Sequence, residues 1–288
     1  METRQLKRLS LFLSLPVPFL FGLVVLPLVY IFIYSFWTID PTTWVMAKAF
    51  SFKNYREFFT SSIYVRVIWN TFRITAWATF FALLIGYPLS YWICFYVPPR
   101  FQIPCILLAV IPFWTSYLIR TYAWIGVLQN GGFLDSLLMG AGILRTPTGL
   151  LYTPRAVIIG FVHVFLPLMI LPIYASIKNI EPNLLEAARD LGATGFRVFI
   201  RVTLPLTAVG VLTGILLFSI PTFGSFVTPL ILGSVDSIMI GNVIADQFGE
   251  ALNWPLGSAL SIIVVVIMAI VLFIVNRFIN LETIYRQS

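Results

Sequence analysis

Apolar residues run along this chain in blocks too long for the interior of a soluble protein. Leu9–Trp37 is almost unbroken apolar sequence, interrupted by Pro16, Pro18, Gly22 and Pro27. Further blocks lie at roughly 69–97, 104–127, 156–178, 207–231 and 258–278. Each reaches the ~20 residues that a helix needs to cross a ~30 Å hydrocarbon core. The bilayer admits only helices or closed barrels, and barrel strands are short and alternate in polarity. These blocks are long and apolar on all sides, so the pattern predicts an all-α integral membrane protein of about six transmembrane helices. The first block exceeds the ~7–15-residue core of a signal peptide and is followed by no small-residue cleavage site, so it is expected to be retained. Residues 1–68 read as an N-terminal helix with a polar outer loop, 69–279 as the transmembrane core, and 280–288 as a cytoplasmic tail.

Composition agrees with the pattern. The chain is 59% hydrophobic and 10% charged, with a mean hydropathy of +0.96, against about 45–50% and about 25% for soluble domains. Lipid is the solvent that suits such a surface. Placing the N-terminus in the cytoplasm puts ten Lys and Arg on that side (Arg4, Lys7, Arg8, Arg100, Lys178, Arg189, Arg197, Arg201, Arg277, Arg286) and six outside (Lys48, Lys53, Arg56, Arg66, Arg145, Arg155). The positive-inside rule then favours both termini inside. The net charge of +7 does not indicate nucleic acid: the longest basic cluster, Arg4, Lys7 and Arg8, flanks the first apolar block rather than forming a face interleaved with aromatics.

Candidate chemistry is sparse. Cys94, Cys105 and His163 cannot furnish a four-ligand zinc site, and no metal is expected. His163, between Val162 and Val164, reads as a packed, hydrogen-bonded histidine. No clustered nucleophile or paired acids suggest catalysis. The lysines are Lys7, Lys48, Lys53 and Lys178, and none follows a glycine as a phosphate-binding loop requires. The chain itself is expected to bind no cofactor.

The most patterned polar stretch is Glu181–Leu206, EPNLLEAARDLGATGFRVFIRVTLPL. Leu184, Leu185, Ala188 and Leu191 recur at helical spacing and predict a short amphipathic helix. Pro182 suits its first turn and Gly192 its end. Thr194 is placed to cap a second short helix running through Phe199 or beyond, and Pro205 to close it. The predicted object is a helix–turn–helix along the cytoplasmic face, between the fourth and fifth spans. Ala187 and Ala188 allow close approach, and Glu186 offers a charge to a cationic partner. A partner-docking face and an interfacial helix resting on headgroups both fit.

The fifth block meets Pro221 about 14 residues after Thr207, or ~20 Å along the axis, near or slightly beyond midplane. Pro221, Gly224 and Pro229 interrupt regular hydrogen bonding. Irregular backbone at that depth is tolerated only beside protein or a water-filled cavity, and it often builds transport sites. Ser219–Thr228 is therefore a candidate pathway lining, including Ser219, Pro221, Gly224, Ser225, Phe226 and Thr228. A kink that only improves packing is the alternative. Intramembrane arginines are functional candidates by default. Arg73 is read as snorkelling, while Arg120, in the polar and aromatic run Thr115–Trp124, joins the pathway set. Asp135, Asp236, Asp246 and Glu250 are expected as solvated charges on the outer side.

Glu186-Ala187-Ala188, then Gly192 after three residues, then Val202, Leu204 and Pro205, resembles the EAA loop of permeases of binding-protein-dependent ABC importers. Over roughly 69–279 further stretches are similar to the spermidine/putrescine permease branch: Gly86-Tyr87-Pro88-Leu89-Ser90-Tyr91, Arg120–Trp124, Phe226–Pro229, Ile240-Gly241-Asn242 and Asn253–Ala259. Phe50–Phe59 resembles that branch's outer loop. At 224–225 this chain has Gly-Ser where many polyamine-type sequences carry an acidic residue. The resemblance implies that Glu186, Ala187, Ala188, Gly192, Leu204 and Pro205 couple to an ATPase. It also implies a cytoplasmic ATPase dimer carrying ATP and Mg, a second permease as a related distinct chain, an extracytoplasmic binding protein, and the bacterial inner membrane as location. A polyamine is the implied solute; an amino-acid derivative or opine, thiamine, ferric iron or phosphonate carried by the same machinery stays open. A secondary carrier fits less well: it has no use for that loop, and the span interiors almost lack the acidic residues that couple ions.

Overall fold

The long apolar blocks fold as helices, but two of them fold as bent pairs. The computed structural model describes residues 16–40, 43 and 45–278. In chain order the helices are α1 (Pro16–Tyr34), α2 (Lys53–Thr60), α3 (Ser62–Phe95), α4 (Pro99–Val110, continued by a 3-10 turn over Ile111–Trp114), α5 (Tyr117–Leu128), α6 (Phe133–Gly140) and α7 (Pro154–Lys178). They continue as α8 (Pro182–Asp190), α9 (Gly195–Leu206), α10 (Ala208–Gly224), α11 (Val227–Leu232), α12 (Ile240–Phe248) and α13 (Trp254–Phe278). Between α1 and α2 a two-residue hairpin pairs β1 (Thr38–Ile39) with β2 (Met46–Ala47), Thr38 opposite Ala47. The class is all-α, as the apolar pattern predicts. Residues 9–15 of the first block and the tail 280–288 lie outside the described residues.

Among the described residues three helices are long and apolar enough to cross a bilayer: α3, α7, and α13 as far as Val275. Two of the expected spans depart from a straight helix. The block at 104–127 is not one straight helix but α4 and α5, with a 94° bend where the chain passes from Trp114 to Tyr117. Pro112 cannot donate a helical hydrogen bond. Thr115 turns extended (ψ 157°) and its hydroxyl bonds the Pro112 carbonyl at 2.7 Å, taking a backbone acceptor that a continuing helix would use. The block at 207–231 breaks at Ser225 (ψ 139°) rather than at Pro221, which stays inside α10. A second bend, of 62°, separates α9 from α10.

The described residues divide into two compact units, one formed by those up to Tyr64 with Val243–Ile267, the other by Val65–Asn242 with those from Met268 to Phe278. In the first unit Asn54, 5% exposed, donates to the carbonyls of Ser35 (3.0 Å) and Trp37 (2.8 Å) and so secures the end of α1. In the second unit α7 and α10 form the most extensive helix pair. Lipid tails are as apolar as leucine, so close backbone packing rather than hydrophobic burial holds such a pair. Gly210 and Gly214 on α10 supply that approach. A Cβ at Gly210 would fall 2.3 Å from Ser176 Cβ and 2.7 Å from the Pro172 carbonyl oxygen. Around the pair, Ile74, Ala78 and Ala82 of α3 and Phe161, Met169 and Ile173 of α7 are buried in one apolar cluster with Phe218.

Candidate functional site

The loop joining α7 to α10 is a helix–turn–helix, and short-range signals explain its shape. Pro182 occupies the first position of α8, where its missing N–H costs nothing. At the other end Gly192 adopts φ +80°, the left-handed conformation that a residue without Cβ enters freely. The N–H of Ala193 bonds the Ala188 carbonyl at 3.1 Å and that of Gly192 the Arg189 carbonyl at 2.8 Å. This double closure satisfies carbonyls that the end of α8 would leave free. Thr194 stands at the start of α9 but makes no side-chain cap bond. α9 passes through a π-helical stretch at Phe199–Thr203 and ends at Leu206, one residue past Pro205.

Only part of the expected amphipathic face turns inward. Leu185 is buried and Ala188 half-buried, whereas Leu184 is 47% and Leu191 89% exposed. Phe196 on α9 is 72% exposed, and Glu186, Ala187 and Gly192 are exposed beside them. Leu204 and Pro205 are exposed at the end of α9. The loop thus displays the apolar side chains of Leu184, Leu191 and Phe196 among exposed charges that include Glu186, Arg189, Asp190 and Arg197, on a backbone whose turn is closed by its own hydrogen bonds.

α9 is fastened to α3 by contacts that sequence reasoning did not find. The Phe199 ring meets Tyr87 at 5.7 Å and Tyr91 at 5.5 Å, both edge-on. The Tyr87 hydroxyl lies 3.0 Å from Thr207 Oγ1, which itself donates to the Thr203 carbonyl. Tyr87 and Tyr91 stood inside the quoted motif, but nothing in their local sequence points to a partner 120 residues away. A second fastening joins the same ends of α3, α4 and α7. Lys178 Nζ donates to Gln102 Oε1 at 2.7 Å, and Gln102 Nε2 donates to the carbonyls of Cys94 and Val97.

The expected pathway residues are only partly brought together. The Tyr117 hydroxyl lies 2.8 Å from Ser225 Oγ and 2.6 Å from Thr228 Oγ1, a three-hydroxyl cluster between α5 and the α10–α11 break. Ser225 and Thr228 are buried, Gly224 is exposed, and Phe226 is 44% exposed. Ser219 and Pro221 lie outside the cluster on α10, both half-buried, and the Ser219 hydroxyl turns back towards the Leu216 carbonyl. Arg120, one turn beyond Tyr117 on α5, sits over the Phe113 ring at 5.5 Å and reaches the Val164 carbonyl at 3.5 Å. Its Nε is buried with no partner. Tyr117 is the member that sequence reasoning missed; its place at the edge of the polar run Thr115–Trp124 was the available signal.

Two sequence expectations are overturned. His163 is not packed and hydrogen-bonded: it is exposed on α7 and meets Trp124 edge-on at 5.4 Å. One turn of α7 carries Val162 and Val164 into the core and leaves the residue between them on the opposite side. Asp135 is not a solvated loop charge but is 1% exposed. It accepts from the Gly131 N–H (2.9 Å), the Thr148 N–H (3.0 Å) and the Thr148 hydroxyl (2.7 Å), closing the loop between α6 and α7. Asp236, Asp246 and Glu250 are exposed as expected. Among the described residues no cluster of His, Cys, Asp or Glu is arranged to hold a metal.

Broken helices around a buried hydroxyl cluster, with a stiff exposed loop at one end, define a polytopic transport subunit. No family model matches the chain. It is 40% identical over 254 residues to the spermidine/putrescine transport system permease protein PotB of Haemophilus influenzae, covering 88% of each chain. It is 37% identical over 243 residues to the protein of the same name from Escherichia coli K12, covering 84% of this chain and 87% of that one. The fold matches a solved bacterial alginate ABC transporter in complex with an alginate pentasaccharide-bound periplasmic protein, with a TM-score of 0.71, 18% identity and 97% of each chain covered. The chain belongs to the spermidine/putrescine transport system permease family of ABC transporters. It is a multi-pass protein of the bacterial inner membrane and a transport component.

Proposed function

We propose that this chain is one membrane half of an ATP-driven importer that takes a polyamine of the spermidine or putrescine class into the cytoplasm. The observation that carries the reading is the loop at 181–206: a self-closed turn presenting Leu184, Ala187, Leu191 and Phe196 outward while α9 is fastened to α3. An apolar face held on a rigid backbone suits a protein partner better than a lipid surface, since lipid would not require the turn to be locked. Glu186, Ala187, Ala188 and Gly192 form the contact with a cytoplasmic ATPase dimer, which holds ATP and Mg. Leu204 and Pro205 pass its motion from α9 into α10 across the 62° bend.

Six spans account for the chain if α1, α3, the bent α4–α5 pair, α7, the α10–α11 pair and α13 each cross once. Both termini and the loop at 181–206 then lie in the cytoplasm, in accord with the distribution of Lys and Arg. A second permease, a related distinct chain, supplies the other half of the pore, and an extracytoplasmic binding protein delivers the solute. The hydroxyls of Tyr117, Ser225 and Thr228 offer acceptors to a passing ammonium. With no carboxylate in the cluster, they would hold a cation weakly enough to release it, as conduction requires. Arg120, a like charge beside them, opposes long residence.

The test is uptake of labelled spermidine and putrescine by cells whose own polyamine importers are deleted, supplied with this chain and its partner subunits. ATP-dependent uptake that vanishes when the ATPase subunit is omitted is expected. Uptake that persists without it, or transport of another solute only, would contradict the proposal.

A further inference from the structure

A cavity of about 360 Å³ opens between the first half of α3 and the start of α7, away from the hydroxyl cluster. Arg73 and Arg155 line it, together with Trp77, Ile74, Ile158 and Thr148. Arg73 donates to Asn70 Oδ1 at 2.8 Å, and no carboxylate among the described residues pairs with either guanidinium. Asp135 is tied to the rim through Thr148, but both its oxygens are engaged by Thr148 and Gly131. Two cations therefore face one cavity without a counter-charge.

The level of the cavity indicates what fills it. On α7 the residues from Arg155 to Lys178 span about 35 Å at 1.5 Å per residue, so the two cations bracket a ~30 Å hydrocarbon core. Arg155 then stands at headgroup depth. Trp77, 51% exposed, is the residue type that settles at that depth. Beyond it, on the same face of α3, come Phe80 and Leu84, exposed by 52% and 57%, with the Phe81 ring stacked 5.8 Å from Trp77. Cation, then indole, then bare hydrocarbon along one helix face is the polarity profile of a phospholipid.

We infer that this cavity is a phospholipid site, with an anionic lipid's phosphodiester held between Arg73 and Arg155 and its acyl chain laid along Trp77, Phe80 and Leu84. Its assignment to the outer leaflet rests on the orientation proposed above; the phosphate contact does not.

Native mass spectrometry of the assembled transporter, transferred from nanodiscs of phosphatidylcholine with phosphatidylglycerol, tests it. The wild type should retain phosphatidylglycerol in preference to phosphatidylcholine. Removing each guanidinium should weaken retention about fivefold, so R73A/R155A should lose it. The charge-conserving R73K/R155K should keep most of it, with assembly and ATP hydrolysis as controls for folding. Equal retention by the wild type and R73A/R155A would overturn the site. So would binding of inorganic phosphate in lipid-free detergent that R73A/R155A abolishes, because the site would then serve a soluble anion. Loss of the second permease from the R73A/R155A complex would also overturn it, marking a subunit interface instead. Accessibility of Gly149→Cys to a membrane-impermeant maleimide reports the leaflet separately. Labelling from the cytoplasmic side alone would refute the proposed orientation while leaving the arginine–phosphate contact to stand on the retention data.

Discussion

The loop at 181–206 and the break around Ser225 both interrupt helices, yet opposite physics shapes them. The loop is built from neighbours: Pro182, Gly192 and the bonds from Ala193 to Ala188 and Gly192 to Arg189 lie within a dozen residues of one another. The break is built from strangers: Tyr117 reaches Ser225 and Thr228 across separations of 108 and 111 residues. A locally closed element keeps its shape when its surroundings move, as a lever must. An element held by distant hydroxyls changes when the helices that carry them shift, as a gate must. The bilayer sharpens the contrast, because irregular backbone at membrane depth survives only while neighbouring protein or water satisfies it.

This contrast can be broken from either side. The largest effect should come from Gly210→Leu, since even a Cβ there would lie 2.3 Å from Ser176 Cβ. Forcing α7 and α10 apart should cost about 3 kcal/mol, the upper part of the usual range for overpacking, and sharply reduce the folded yield in detergent. Gly192→Val should be milder in stability and specific in function. Left-handed backbone costs a residue with a Cβ about 1–2 kcal/mol. Insertion and yield should hold while solute-stimulated ATP hydrolysis falls about tenfold, the rate equivalent of that strain. Normal stimulation in this variant would count against the lever.

Tyr117→Phe removes both long-range hydrogen bonds of the break. It should lower uptake about fivefold, equivalent to ~1 kcal/mol for two intramembrane hydrogen bonds, with ATP hydrolysis still responsive to the loop. The smallest expected effect is the coupling between Tyr87 and Thr207. A double-mutant cycle of Tyr87→Phe and Thr207→Val should give about 0.6 kcal/mol in thermal stability, the average for such bonds in membranes. Additive single effects would mean that the 3.0 Å contact does not fasten α9 to α3.

The same distinction sets what the amino-acid order reveals. Block length announces helices such as α7 and α13 because the hydrocarbon core demands ~20 apolar residues wherever a helix crosses. The α8 turn is legible because Gly192 and Pro182 act within their own helix. The bend between α4 and α5 is hidden, because Thr115 and Ser116 can sit inside a membrane helix as readily as end one. Asp135 looked like a surface charge because its partner Thr148 lies 13 residues away. His163 looked packed because its neighbours Val162 and Val164 are. Gly210 and Gly214 did leave a trace, two small residues four apart in an apolar helix, which is the spacing of close membrane-helix packing.

The account depends most on the loop at 181–206 touching the ATPase subunit from the cytoplasmic side. In a chain with Cys94 and Cys105 replaced by alanine, a single Ala187→Cys tests this in inside-out membrane vesicles. A short bifunctional reagent should join it to the ATPase subunit, and prior binding of that subunit should shield it from maleimide. Labelling of Ala187→Cys by an impermeant reagent from the periplasmic side, with no cross-link to the ATPase, would contradict the account.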